Sequence, residues 1–238
     1  IMELELSKLD HLKAMVRDVA IALGEDILKE VAFLGGCATA LHITDPMTKE
    51  AVRFTEDVDL VINVVGYVGW NNLRVRLLEK GFKTDTSPLA HTCSMVLGSQ
   101  QVDFIPDDED ALGHTCQWYK EGLINSIDYD LGEGIIIQIL SPPYFIASKI
   151  VAYKNRGYGD MLESKDMEDI LNVIDGREEL IEEIKNSPDD VRSFIAESFI
   201  ELKEEYYFES AIQSTSNNDK GREDLIFDRV RMIIEAGS

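Results

Sequence analysis

With 238 residues the chain is long enough to bury a sizeable core, as one large domain or two small ones. A formal charge of −22, from 45 acids against 23 Lys and Arg, excludes a general nucleic-acid platform, because phosphate backbones are repelled at long range. No apolar run approaches the ~20 residues that cross a bilayer and no signal peptide is visible; the three cysteines are too few and scattered for a disulfide framework, so the expectation is a reduced, cytoplasmic protein with no membrane partner.

In chain order, Leu9, Leu12, Met15, Val16, Val19 and Leu23 recur with a helical period and predict a helix over residues 6–23, stopped at Gly24, with Asp26 as cap of a short helical segment after it. Val31 to Leu34 reads as a short apolar strand, ended by Gly35-Gly36, with a helix beginning near Cys37. The placement of Thr44 to Val52 is left open. Asp57 and Asp59 then stand on a second strand, followed by a helix over residues 66–79 that turns Leu73, Leu77 and Leu78 inward and carries Trp70 in the core or at its rim. Ser94 to Leu97 and Gln101 to Ile105 predict two strands about Gly98-Ser99, and Asp103 interrupts the second. Pro106 to Asp110 reads as an acidic, solvated turn. His91-Thr92-Cys93 recurs as His114-Thr115-Cys116, without the Cys-x-x-Cys geometry of a zinc knuckle. Residues 125–131 and 135–140 suggest two more strands around Gly132-Glu133-Gly134, and Ser141-Pro142-Pro143 marks a boundary.

Helices are expected at 144–154, at 164–174 with Ser164 as N-cap, at 191–207 and at 223–235; Glu178, Glu179, Glu182 and Glu183 form a solvated helix face, and 213–221 reads as a linker or mobile loop. Lys149, among Phe145, Ile146, Ile150 and Val151, either snorkels along the surface or sends its ammonium into a pocket to meet an anion. Lys149, Lys154 and Arg156, with no acid through Gly159, make the best local patch for attracting phosphate. Asp166 and Asp169 share one helix face; one of them orients Lys149 or serves as a base, or Asp166 is simply an acid well placed at a helix N-terminus.

The chemistry of the first half follows from spacing. Side chains two apart on a strand share a face, so Asp57 and Asp59 project together while Val58, Leu60 and Ile62 enter the core. Paired carboxylates in a cleft repel each other unless a cation bridges them, and Mg2+ is the usual hard ion for carboxylate oxygen. Metal pairs held about 3.5–4 Å apart drive in-line displacement at phosphorus. The diglycine lets backbone N–H groups at a helix N-terminus approach an anion closely. Asp103 is either the outward residue of an alternating strand or a third carboxylate of the same site.

The run Leu34-Gly35-Gly36 with Ala38, Ala40 and Leu41, followed by Arg53-x-Thr55-x-Asp57-x-Asp59-Leu60, resembles the nucleotidyltransferase superfamily shared with DNA polymerase beta. Its Arg-x-Ser/Thr-x-Asp-x-Asp form is similar to the AbiEii-type toxins of type IV toxin-antitoxin systems. The resemblance covers patches between Val31 and Asp169. It implies an α/β (α+β) fold, with a mixed sheet flanked by helices as the core over residues 1–140 and a helical C-terminal region over 141–238. It further implies Gly35 and Gly36 at the nucleotide phosphates with Thr39, Arg53 and Lys149, metal ligation by Asp57, Asp59 and Asp103, and Lys149 followed by Asp166 or Asp169 as functional groups. The activity implied is Mg2+- or Mn2+-dependent transfer of a nucleoside monophosphate from a nucleoside triphosphate to an acceptor hydroxyl, with RNA as a candidate acceptor and an antitoxin protein as a candidate partner. The competing readings are a catalytically inactive domain of the same fold that binds a nucleotide or a partner, and a structural interaction domain.

Overall fold

In the computed structural model, residues 7–53, 55–88, 90–113, 115–156 and 160–237 are described, apart from the side chains of Glu50 and Ala51. They divide into two units, one holding the chain up to Leu41 with Arg53–Ser141, the other His42–Val52 and the chain from Pro142 onward. Among the described residues no helix is long and apolar enough to cross a membrane.

The first unit is a mixed seven-stranded sheet with helices against it. Helix α1 (Lys8–Leu28) is capped by Ser7, whose hydroxyl accepts from the Asp10 N–H at 3.1 Å. Leu6, expected at its start, lies outside the described residues. The predicted stripe is buried from Leu12 to Leu23, Leu9 being only partly covered, and it packs α1 on β1 (Val31–Leu34), β2 (Asp57–Ile62) and β7 (Ile136–Ile139). Gly24 is a kink rather than a stop: at φ 66° it leaves the helical region, and the helix resumes after it. Asp26 lies within α1; its carboxylate takes the Lys80 ammonium at 2.6 Å, and that bond above all holds its pKa below the ordinary value.

Strand order is β3-β4-β5-β2-β1-β7-β6, with β3 Lys83–Thr84, β4 Ser94–Leu97, β5 Gln100–Pro106 and β6 Ile127–Asp130. The β2 strand runs antiparallel to β1 and parallel to β5. Short helices α2 (Gly35–His42), α5 (Glu109–Leu112) and α6 (Tyr119–Ile124) fill the connections, and α4 (Gly66–Glu79) matches the expected range. Trp70, Leu73 and Leu77 are buried in it, whereas Leu78 is 48% exposed, one residue too far round the helix. The acidic turn is put to structural use: Asp107 accepts from Val64 N–H and the Asn63 amide, and Asp108 accepts from Gly66 N–H, so these acids hold the entry to α4 instead of lying in solvent. Cys93 and Cys116 are buried free thiols; His114, of the repeated His-x-Cys pair, lies outside the described residues.

The second unit is helical. Around α8 (Lys165–Gly176) pack α7 (Pro142–Asn155), α11 (Phe208–Thr215), α12 (Lys220–Ala236) and α3 (Pro46–Ala51), with α9 (Leu180–Lys185) and α10 (Asp189–Leu202) completing it. Part of the segment left open in the sequence is α3, capped by Asp45 accepting from Thr48 N–H at 2.8 Å. The expected linker at 213–221 is instead the end of α11 and a compact turn, with Asn217 and Asn218 at φ 53° and 61°, a region Asn tolerates.

The carboxyl end of α8 anchors residues 42–52. Thr44 and Asp45 N–H groups donate to the Gly176 carbonyl at 2.9 and 2.8 Å, and Arg177 Nη1 donates to the His42 carbonyl at 2.7 Å. Arg229 Nη1 donates to the Ile174 and Asp175 carbonyls, satisfying acceptors that a helix end leaves unpaired. His42 is fully buried, its ring 4.6 Å from that of Phe145 and neither nitrogen hydrogen-bonded among the described residues. Burial, with the Arg177 charge adding to it, pushes its pKa down to about 3. The unfolded chain therefore binds the extra proton as pH falls below the ordinary value near 6.5, and stability is lost between that pH and about 3. Lowering pH from 7 to 5 should cost the protein about 2 kcal/mol through this residue. Urea denaturation at both pH values checks it: His42→Leu should show a smaller loss than the parent by that amount.

Candidate functional site

The β1 strand passes into α2 with no loop between them, and Gly35 makes this possible. Its φ is 71°, and a Cβ there would overlap the Asp59 carboxylate. The register explains the proximity, since Leu34 pairs with Asp59 across the antiparallel β1–β2 ladder. Gly36 is less confined: a Cβ would lie 2.7 Å from Arg53 Nη2, the end of a long side chain, so the guanidinium rests on the turn. Thr39, expected among the nucleotide contacts, is fully buried and donates to the Gly35 carbonyl at 3.3 Å. Its place is behind the turn, fixing the backbone.

Asp59 and Asp103 are Cα partners on the parallel strands β2 and β5, and Asp57 is paired with Gln101. Period-two alternation puts all three acids on one face, opposite to Val58, Leu60, Val102 and Phe104, which are fully buried. Asp57 is exposed and the other two are half-buried. Asp103 accepts from Gln101 Nε2 at 3.3 Å, a neighbour that strand alternation alone does not single out. Cys93 senses the same charges: burial, then Asp103 and more weakly Asp59, push its thiol up to about 12. The donor set is hard carboxylate oxygen, which fits Mg2+ or Mn2+ chemically. Among the described residues no group of three or more His, Cys, Asp or Glu is drawn together into a ready-made metal cage.

In the second unit Lys149 does not snorkel. It is 8% exposed, and its Nζ donates to Asp169 at 2.6 Å and to Asp166 at 3.2 Å, with Asp169 fully buried. Arg156 also pairs with Asp166, a partnership that spacing does not announce. Lys154 meets Glu201 at 2.6 Å. The expected phosphate-attracting patch is thus answered cation by cation with acids from later helices, and Gly159 at its far end lies outside the described residues. Ser164 is the N-cap of α8, accepting from Met167 N–H at 3.2 Å.

Two substitutions measure these constraints. Gly35→Ala should cost more than the about 1–3 kcal/mol of a left-handed backbone conformation, because it also displaces Asp59. Gly66→Ala is the control, at φ 64° with open space around the new Cβ, and should show the conformational cost alone in the same denaturant titration. Lys149→Met takes the ammonium away from the buried Asp169, while Asp166 keeps Arg156, and should destabilise by about 3–5 kcal/mol, largely restored when Asp169 is also replaced by Asn.

No family model matches the chain, and no curated protein does so. Six chains of solved structures match. One of them, the solution structure of the antibiotic-resistance factor ANT(2'')-Ia, is similar at 14% identity over 81% of this chain and 94% of that one, with a TM-score of 0.47. A likeness at that level assigns no activity to this chain.

Proposed function

We propose that the first unit carries a metal-dependent nucleotidyl-transfer site, in which a nucleoside triphosphate gives its nucleoside monophosphate to an acceptor hydroxyl and releases pyrophosphate. The observation that carries this reading is the in-register pair Asp59 and Asp103 on neighbouring parallel strands, beside a helix start formed by Gly35 and Gly36. Amide groups at the start of α2 would donate to phosphate oxygens of a bound triphosphate, and Arg53 adds a positive charge at the same turn. Asp57, Asp59 and Asp103 would hold Mg2+ or Mn2+. Mg2+ is commonly held by one or two carboxylates together with substrate phosphates. Such an ion, once bound, neutralises charge on the phosphates and aligns them. The role of Gln101 is to hold the Asp103 carboxylate in a fixed orientation.

In the balanced step, an acceptor oxygen bonds to the α-phosphorus, the bond from that phosphorus to the bridging oxygen breaks, pyrophosphate leaves, and the hydroxyl proton passes to a base. The resemblance to AbiEii-type toxins makes RNA the first acceptor to try and an antitoxin protein the first partner.

Calorimetry with each of the four nucleoside triphosphates, with and without Mg2+, tests the site. Saturable binding that requires Mg2+ is expected. Asp59→Asn or Asp103→Asn should weaken it beyond the roughly 10–100-fold that outer-shell partners of a metal site cost. Incubation with labelled triphosphate and total RNA should then transfer label and release pyrophosphate. Binding that persists unchanged in the Asp59→Asn/Asp103→Asn protein overturns the assignment, while Mg2+-dependent binding with no transfer to any acceptor class identifies an inactive binder.

A further inference from the structure

Helix α8 has a second polar face that the Lys149 cluster does not use. At 3.6 residues per turn, Glu168, Leu171 and Asn172 lie roughly 120–160° round the axis from Asp166. They line a cavity of about 260 Å3 together with Met161, Met167 and residues of α11 and the turn after it, all within the second unit. That volume is just under the ~300–1,000 Å3 of pockets for drug-sized ligands, so the occupant is a small molecule.

The lining defines its chemistry. Asn172 is 6% exposed, it borders the cavity, and no side-chain hydrogen bond among the described residues engages its carboxamide. Its donor and acceptor therefore face the cavity, where a ligand able to answer both would replace water. The adjacent edge of a nucleobase does so, as in the paired hydrogen bonds of Asn to adenine. Met161, Met167 and Leu171, all but fully buried, back the cavity with apolar side chains. Ser214 and Thr215 at the α11 end offer hydroxyls to a sugar. Among the described residues no Lys or Arg lines the cavity, and Glu168 does, which disfavours a phosphate.

We propose that this cavity binds a nucleobase or free nucleoside lacking phosphate, with adenosine first in the series, at a site separate from the triphosphate site of the first unit. The inference does not depend on the transfer reaction, because it rests on residues of the second unit alone.

The test is titration of the full-length protein, without divalent ions, with adenosine, guanosine, cytidine and uridine and with their 5′-monophosphates, followed by calorimetry and amide chemical shifts. The expected result is saturable binding of at least one nucleoside, at least tenfold tighter than its monophosphate, with shifts in α8 and α11. Asn172→Ala should abolish it. Because that residue is buried, two exposed positions serve as independent checks: Ser214→Trp should block binding, and Glu168→Gln should narrow the discrimination against phosphate. Asp57→Ala should bind the nucleoside as the parent does. Absence of saturable binding by all four nucleosides, equal affinity for the monophosphates, or retention of binding in Ser214→Trp would each overturn the proposal. Loss in Asp57→Ala would move the binding to the first unit and overturn it equally.

Discussion

The close approach of the Asp59 carboxylate to the backbone of Gly35 governs the first unit. A side chain at residue 35 would occupy the space of that carboxylate, and the positive φ there is what lets β1 become α2 without a loop. The same contact aligns the rest. Once Leu34 and Asp59 are opposed, the parallel pairing of β2 with β5 brings Asp103 beside Asp59 and Gln101 beside Asp57. The apolar alternate residues Val58, Leu60, Val102 and Phe104 hold this register, because a slip of one position would turn every buried side chain outward. Core packing thereby fixes the placement of charges it never touches.

In the second unit the comparable point is the carboxyl end of α8. Gly176 is packed so closely that a Cβ would meet Ile43 and Thr48, and Arg222 from α12 forks onto Asp175, at 3.1 and 3.0 Å from Nε, while also reaching Thr48. Hydrogen bonds to Asp175 are the chief reason the pKa of Arg222 is raised. A buried carboxylate in such a place is tolerable only because a fork of donors surrounds it, and removing one partner strands the other. Lys149 with Asp166 and Asp169 repeats the same solution on the helix's first half. Two ion clusters at the two ends of one helix, with apolar residues between, give α8 a fixed place among its neighbours.

The large negative charge is less diffuse than composition suggests. Asp107 and Asp108 hold backbone donors before α4, Asp45 caps α3, and Asp166, Asp169 and Asp175 are buried with cations. Cations of the second unit are largely matched: Lys154 by Glu201, Arg156 by Asp166, Arg177 by Glu183. A polyanionic acceptor therefore has little general attraction to the chain at long range, and recognition of phosphate falls to short-range donors such as backbone amides.

Much of the architecture was legible because it is local. Period-two and period-3.6 patterns found β1, β2, the β4–β5 hairpin, α4, α7 and α8, and glycine and Ser164 marked their ends, since these follow from residues within a turn or two of each other. The mixed sheet flanked by helices, which the family resemblance implied, and the helical C-terminal region both stand in the structure. What the sequence could not supply are pairings across long separations: Asp26 with Lys80, Arg156 with Asp166, Arg222 with Asp175 and Thr48, and the assignment of residues 42–52 to the second unit. Thr39 behind the turn, Leu78 at the surface and the unengaged amide of Asn172 belong to the same class. By itself the sequence determined which residues could be strand, helix, turn and acid. Only the tertiary structure decided which charges meet, because burial and distance between remote segments exist once the chain has packed and leave no periodic trace in it.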